Sequence, residues 1–201
     1  MALSQSKSSA VALIEARALR VDAYGAPEID GLTFTSAARS GESAIVLGAP
    51  RVLFEAAAGL VRVASGELLM NGENASDAAK QGRIAASPAT QILPPKWTLS
   101  DYATWSARLA GLSKTNATNG AHQAIGLLDL RDDETTRLAE AAPHVRALAP
   151  LAAALATGAE TILLEDPTAL LPSDVARALS RRIVGALFER SWVLFSGRIA
   201  L

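Results

Sequence analysis

Cysteine is absent from the 201 residues, which excludes disulfides, thiolate metal sites and a cysteine nucleophile. Histidine is nearly absent, with His122 and His144 the two copies, too few for a histidine-rich metal centre. Lysine is confined to Lys7, Lys80, Lys96 and Lys114, and arginine supplies the rest of the basic charge. Neither sign of charge is in excess, because 19 basic side chains face 20 acidic ones for a net charge of −1. That balance argues against a nucleic-acid partner, which is bound by neutralising phosphates. No long charged block occurs and 50% of the residues are apolar, so the composition is that of a folding chain rather than a disordered one. A membrane-spanning run is also missing. The most apolar stretch, from Ala147 to Ala159, is interrupted by Pro150 and followed by Glu160, short of the ~18 apolar residues a spanning helix needs. The apolar run near the N-terminus ends at Glu15, too soon for a signal-peptide core. The expectation is a cytoplasmic protein of one domain over residues 1–201, with a flexible Ser-rich leader over residues 1–10.

What is present reads as strands first and as strand–helix alternation later. Ile14, Ala16 and Ala18 alternate with Glu15 and Arg17, the period of two of a half-buried strand. A turn at Tyr24–Pro27 and a second alternating strand at Gly31–Thr35 follow. Ser40-Gly41-Glu42 turns the chain into an apolar strand from Ser43 to Leu47, and Arg51 to Leu60 is Ala-rich and predicted helical, ending near Gly59. Leu68-Leu69-Met70 is a strand closed by Asn71-Gly72. Ser100 is expected to cap a helix carrying Tyr102, Trp105 and Leu109, stopping near Gly111. The Thr/Asn/Gly stretch from Lys114 to Gly120 reads as a loop, followed by a helix to about Leu130 and a solvated loop at Asp132-Asp133-Glu134. Then come a helix from about His144 to Ala156, a buried strand Thr161–Leu164, a helix from Ser173 (as its N-cap) to about Glu189, and a strand Trp192–Phe195. This alternation predicts an α/β fold with a largely parallel sheet.

Thr161-Ile162-Leu163-Leu164-Glu165-Asp166-Pro167-Thr168 resembles the Walker B region of ABC-transporter ATPases, where an apolar strand runs into Asp-Glu-Pro-Thr. Leu151-Ala152-Ala153-Ala154-Leu155 falls where that family has Leu-Ala-Arg-Ala-Leu. Ala58-Gly59-Leu60 and Ser65-Gly66-Glu67 are similar to the Ala-Gly-Leu and Ser-Gly-Glu that follow its phosphate loop, and Ser40-Gly41-Glu42 with Ile45–Gly48 to the turn and strand that precede it. Trp97-Thr98-Leu99 resembles the stretch after its glutamine loop. The matches run in the family's order over nearly the whole chain. The resemblance implies a P-loop NTPase-like ABC ATPase fold: an N-terminal antiparallel β layer, a mostly parallel core sheet, and a helical subdomain over about residues 99–130. The strands Ile45–Leu47 and Ile162–Leu164 are expected near one another.

The residues that carry the family's chemistry are altered. A phosphate loop needs Gly-x-x-x-x-Gly-Lys-Ser/Thr, so that backbone N–H groups curl round phosphate oxygens while the lysine and hydroxyl reach the phosphates and Mg²⁺. After Gly48 the chain reads Ala49-Pro50-Arg51-Val52-Leu53-Phe54-Glu55. Without a gap, Leu53, Phe54 and Glu55 stand for glycine, lysine and hydroxyl, an apolar and an anionic side chain that would repel a triphosphate. Anchored on Ala58-Gly59-Leu60 instead, the loop is about four residues short. The signature Leu-Ser-Gly-Gly-Gln falls on Ala141-Ala142-Pro143-His144-Val145, and the Walker B pair is inverted: Glu165 occupies the metal-associated position and Asp166 the water-polarising one. The glutamine-loop position falls near Ala89, with Gln91 close by, the post-strand histidine on Gly197 or Arg198, and the next loop's aspartate on Pro172. Tyr24 falls where the family stacks an aromatic ring on adenine. The resemblance thus implies a vestigial nucleotide site of Tyr24, Gly48 and Arg51 beside vestigial Glu165 and Asp166, with no cofactor and no metal. It implies a pseudo-ATPase acting as a scaffold or regulatory component, bound to a permease, an intact ABC ATPase or a second copy, and so peripheral at the inner face of the cell membrane. Two alternatives stand beside it: a divergent ATPase using Arg51 and Asp166 with ATP and Mg²⁺, and a soluble adaptor unrelated to transport.

Overall fold

The computed structural model describes residues 11–23, 25–39 and 41–197. The leader over 1–10, Tyr24, Ser40 and Arg198 lie outside the described residues. Two four-stranded sheets form the framework. The first is antiparallel, in the order β2 (Ala26–Thr35), β1 (Ile14–Ala23), β4 (Val63–Met70), β5 (Glu73–Asn74). The second is parallel, in the order β3 (Ser43–Leu47), β8 (Ser191–Ser196), β7 (Thr161–Glu165), β6 (Ile84–Ser87). The strands holding Ile45–Leu47 and Ile162–Leu164 therefore lie in one sheet with β8 between them.

Period-two alternation in the parallel sheet divides the interior into two cores. Leu163, Val193 and Phe195 face α1 (Arg51–Ala57), α2 (Ala75–Lys80) and the antiparallel sheet. Ile162, Leu164, Trp192 and Leu194 face α5 (Pro143–Ala156) and α6 (Ser173–Ala186). Onto α5 pack α3 (Leu99–Leu109) and α4 (Lys114–Leu127). On β1, Ile14, Ala16, Leu19, Val21 and Ala23 are buried, and the shift from even to odd positions is made by a bulge between Ala16 and Leu19. Ala18 takes φ +43° there. Gly66 on β4 sits against this bulge, where a Cβ would lie 2.2 Å from the Ala18 carbonyl oxygen and 2.5 Å from that of Arg17. In this fold Ser65-Gly66-Glu67 serves a close backbone approach.

Several expected boundaries move. β2 begins at Ala26 and absorbs Pro27, which the sequence placed in a turn. Helix α1 has seven residues, ending before Gly59, whose φ of +72° stops it. Thr98 rather than Ser100 caps α3. The Thr98 side chain accepts from the Asp101 N–H at 3.0 Å, and the Asp101 carboxylate accepts from the Thr98 N–H at 3.0 Å, a reciprocal pair that needs an acid three residues on. The stretch Lys114–Gly120 is the start of α4 rather than a loop. Ser113 accepts from the Asn116 N–H, and Ala117, Ala121 and Ala124 bury a stripe at helical spacing that overrides the weak propensities of Thr and Asn. Gly120 lies inside this helix because a Cβ there would be 2.7 Å from the Ala156 carbonyl oxygen. Residues Arg131–Asp133 form a 3₁₀ turn, and Glu134 is not merely solvated: both its oxygens lie 3.2 Å from His122 Nδ1. Ser173 is the first residue of α6, which follows Pro172 without a side-chain cap.

Candidate functional site

The carboxyl ends of β3 and β7 and the amino end of α1 meet in one corner, the place where ligands bind in open parallel sheets. The connection from β3 to α1 is Gly48-Ala49-Pro50. Gly48 turns the chain with φ +66°. The Ala49 N–H donates to the Ser196 carbonyl at 3.2 Å, and Pro50 has no N–H to offer. Gly197 sits beside this connection, since a Cβ on it would come within 3.8 Å of the Ala49 carbonyl. The connection is three residues long, and Leu53, Phe54 and Glu55 lie within α1. Phe54 does not stand beside a phosphate position. It is 1% exposed, packed edge-on to Phe195 with ring centroids 5.8 Å apart, and belongs to the core beneath α1.

Arg51 opens α1 and is the cation of the corner. Its Nε donates to Glu55 Oε1 at 2.9 Å, one helical turn on, and lies 3.9 Å from Glu165 Oε1. Its Nη1 donates to Thr90 Oγ1 at 2.5 Å. Glu165, at the end of β7, also accepts from the Ala89 N–H at 3.0 Å through Oε2. The structure thus brings Arg51, Glu165 and Gly48 together. The sequence reading took Glu55 as the replacement of a hydroxyl and not as a partner of Arg51, and it missed Thr90; the two complete the cluster. Arg51–Glu55 was findable as an i,i+4 pair; Thr90 lies 39 residues away and left no local signal.

Asp166 points elsewhere. Its N–H donates to the Phe195 carbonyl, and its Oδ1 accepts from the Thr168 N–H at 2.9 Å and from Thr168 Oγ1 at 2.7 Å, folding the 166–168 turn on itself. The two residues of the inverted pair therefore do different jobs: Glu165 joins elements and Asp166 shapes its own loop. Ala142 and Pro143 open α5 without a side-chain cap, and Val145 is fully buried. Among the described residues no group of three or more His, Asp or Glu could hold a metal ion, and no helix is long and apolar enough to cross a membrane.

Two open clefts flank the segment 88–95 that follows β6. One, of 660 Å³, lies between this segment, the start of α5 and the 166–171 loop, with Arg146 and Asp166 among apolar neighbours. The other, of 580 Å³, runs between α2 and β6 on one side and α3 and α5 on the other. Leu60 and Leu109 line it and are 70% and 75% exposed. Tyr102 lines it as well, and burial pushes its phenol above the usual tyrosine range, opposed by a hydrogen bond with Gln91.

No family model matches the sequence, and no curated protein matches it. Solved structures do. The chain is similar to an ATP-binding protein from Pyrococcus furiosus assigned to an ABC transporter, with 25% identity over 94% of this chain and 92% of that one and a TM-score of 0.73. It is similar to a component of the cbiONQ ABC transporter complex of Clostridium perfringens, with 13% identity, 92% and 78% coverage and a TM-score of 0.74. An ATP-binding cassette of an ABC transporter in its ADP conformation gives 13% identity, 94% and 82% coverage and a TM-score of 0.75. The antiparallel layer, parallel sheet and packed helices described above form the α/β fold of ABC-transporter ATP-binding cassettes.

Proposed function

We propose that this chain is an ABC-ATPase-like subunit that does not hydrolyse ATP and acts as a scaffold or regulatory component of a transport assembly. The observation that carries this reading is the three-residue connection between β3 and α1. A triphosphate does not fit there. The cradle it requires is a series of converging N–H donors with a lysine behind them, whereas Pro50 offers no donor, the Ala49 N–H is engaged, and Phe54 is buried in the core. Arg51 already faces two carboxylates, Glu55 and Glu165. The start of α5 adds Pro143 where the family places signature residues that complete a partner's site. A function by surfaces follows. The 580 Å³ groove, with Leu60 and Leu109 at its sides, is the place for an apolar helix of a permease, and its α3 wall runs from Tyr102 to Leu109. The similar Clostridium protein is part of an ABC transporter complex, which supports partners of that kind, an intact ATPase subunit among them.

Titration calorimetry with Mg-ATP tests the reading. No heat of specific binding is expected, and no turnover from the purified chain. Exchanging Glu165 for Asp and Asp166 for Glu is expected to leave it inert, because positioning dominates phosphoryl transfer and no loop positions the phosphates. A micromolar dissociation constant, about −8 kcal/mol, or turnover of order 1 s⁻¹, overturns it in favour of the divergent ATPase.

A further inference from the structure

The segment between β6 and α3 carries three prolines, Pro88, Pro94 and Pro95, and forms part of both clefts. Among the described residues, 89–93 make no backbone–backbone hydrogen bond. Their ties to the parallel sheet are side-chain ones, and they converge on two charges: Thr90 Oγ1 accepts from Arg51 Nη1, and the Ala89 N–H donates to Glu165 Oε2. Arg51 and Glu165 are themselves 3.9 Å apart, and Glu55 orients the guanidinium from within α1. At this corner the charges of Arg51 and Glu165 are met by residues of the chain itself.

We propose that Arg51 is a built-in strap: its guanidinium, braced by Glu55 and Glu165, holds the 88–93 segment against the sheet and so fixes the shape of both clefts without any ligand. A planar guanidinium suits this task, because two of its N–H groups donate to Glu55 and Thr90 from one rigid plane while its charge faces Glu165. The geometry accounts for an arginine at the start of α1 with two acceptors and a charge partner on three different parts of the chain, a set that a merely helix-stabilising Arg51–Glu55 pair does not require. Arg51 is here a positioning residue. The inference rests on the proposed function only in that the groove it shapes is the one assigned to a permease helix.

Hydrogen exchange on the intact chain tests it, in wild type, Arg51→Met, Arg51→Lys and Thr90→Val. The expected result for Arg51→Met is exchange roughly tenfold faster at the Ala89 amide, which is bonded to Glu165, with the amides of Leu53 and Phe54 within about twofold of wild type. Thr90→Val removes one tie and should give a smaller rise at the same amide, and Arg51→Lys should recover part of the protection. Unchanged exchange at Ala89 for Arg51→Met overturns the strap. So does an equal rise throughout α1, which would make Arg51 a helix stabiliser and nothing more. Added Mg-ATP should leave wild-type exchange at Ala89 unaltered; acceleration there would mean that phosphate draws Arg51 away, and would also overturn the strap. The two readings fail separately, since calorimetric ATP binding removes the non-catalytic assignment whatever the exchange in Arg51→Met shows.

Discussion

Ser65–Glu67 and Gly48–Arg51 flank the same helix region and teach opposite lessons about what a motif is for. At Gly66 the neighbouring strand comes so close that any side chain would meet a carbonyl oxygen at 2.2 Å. The glycine there is demanded by the sheet. At Gly48 nothing lies within 4 Å of where a Cβ would stand, and the glycine serves only its φ of +66°. The residues most similar to the ATPase family are thus the ones that let strands cross and helices stop. Between β3 and α1 this chain has a three-residue connection, with a buried ring beneath it and an internal ion pair beside it.

The harshest test of that contrast is to place a lysine at the buried position 54. Phe54→Lys places an ammonium in the core against Phe195, with no carboxylate built to meet it. The expected loss is about 4 kcal/mol or more, and larger than that of the truncation Phe54→Ala, for which ~3–5 kcal/mol is expected. Urea denaturation of both variants measures this, and a folded, near-wild-type Phe54→Lys would mean the α1 core can open toward the corner. The glycines come next. Gly66→Ala must move the backbone of β1 or β4 and should cost roughly 2–4 kcal/mol, whereas Gly48→Ala meets only the left-handed penalty of about 1 kcal/mol. Equal losses at the two positions would erase the distinction. The smallest effect lies on the exposed face of β1. Arg17 hydrogen-bonds Glu15 at 2.8 Å and holds its carboxyl below the usual range. A depressed carboxyl favours the fold above its unfolded titration range, and that contribution disappears as pH falls through the folded value. Arg17→Met should therefore raise the Glu15 titration seen by NMR and flatten the acid limb of the stability curve slightly.

How legible all this was depended on the reach of each signal. The strands β7 and β8 announce themselves by apolar runs and alternation, and the ends of α1 and α3 by Gly59 and Gly111. Helix α4 was hidden, because Thr115, Asn116, Thr118, Asn119 and Gly120 speak locally for a loop, and only the packing of Ala117, Ala121 and Ala124 under α5 makes them helical. The site divides the same way. Arg51, Gly48 and Glu165 were named from motif positions, and the structure brings them into one corner. Thr90 was not, since its tie to Arg51 crosses from one element to another. Asp166 was named beside Glu165 as its chemical partner, yet the hydroxyl two residues on turns it into a loop-former.

One edge of the parallel sheet bears on how copies of this protein behave when concentrated. β3 pairs with β8 on one side only, and its five residues, Ser43 to Leu47, include no charge, proline or glycine. Ile45 and Leu47 are 57% and 60% exposed. One edge strand of the antiparallel sheet, β2, is guarded by contrast with Pro27, Glu28, Asp30 and Gly31, the residues that obstruct a strand arriving from another molecule. A net charge of −1 supplies almost no long-range repulsion between chains. Adhesion between crowded copies by strand pairing is therefore open to β3 and obstructed at β2, a five-residue uncharged rail against a guarded one.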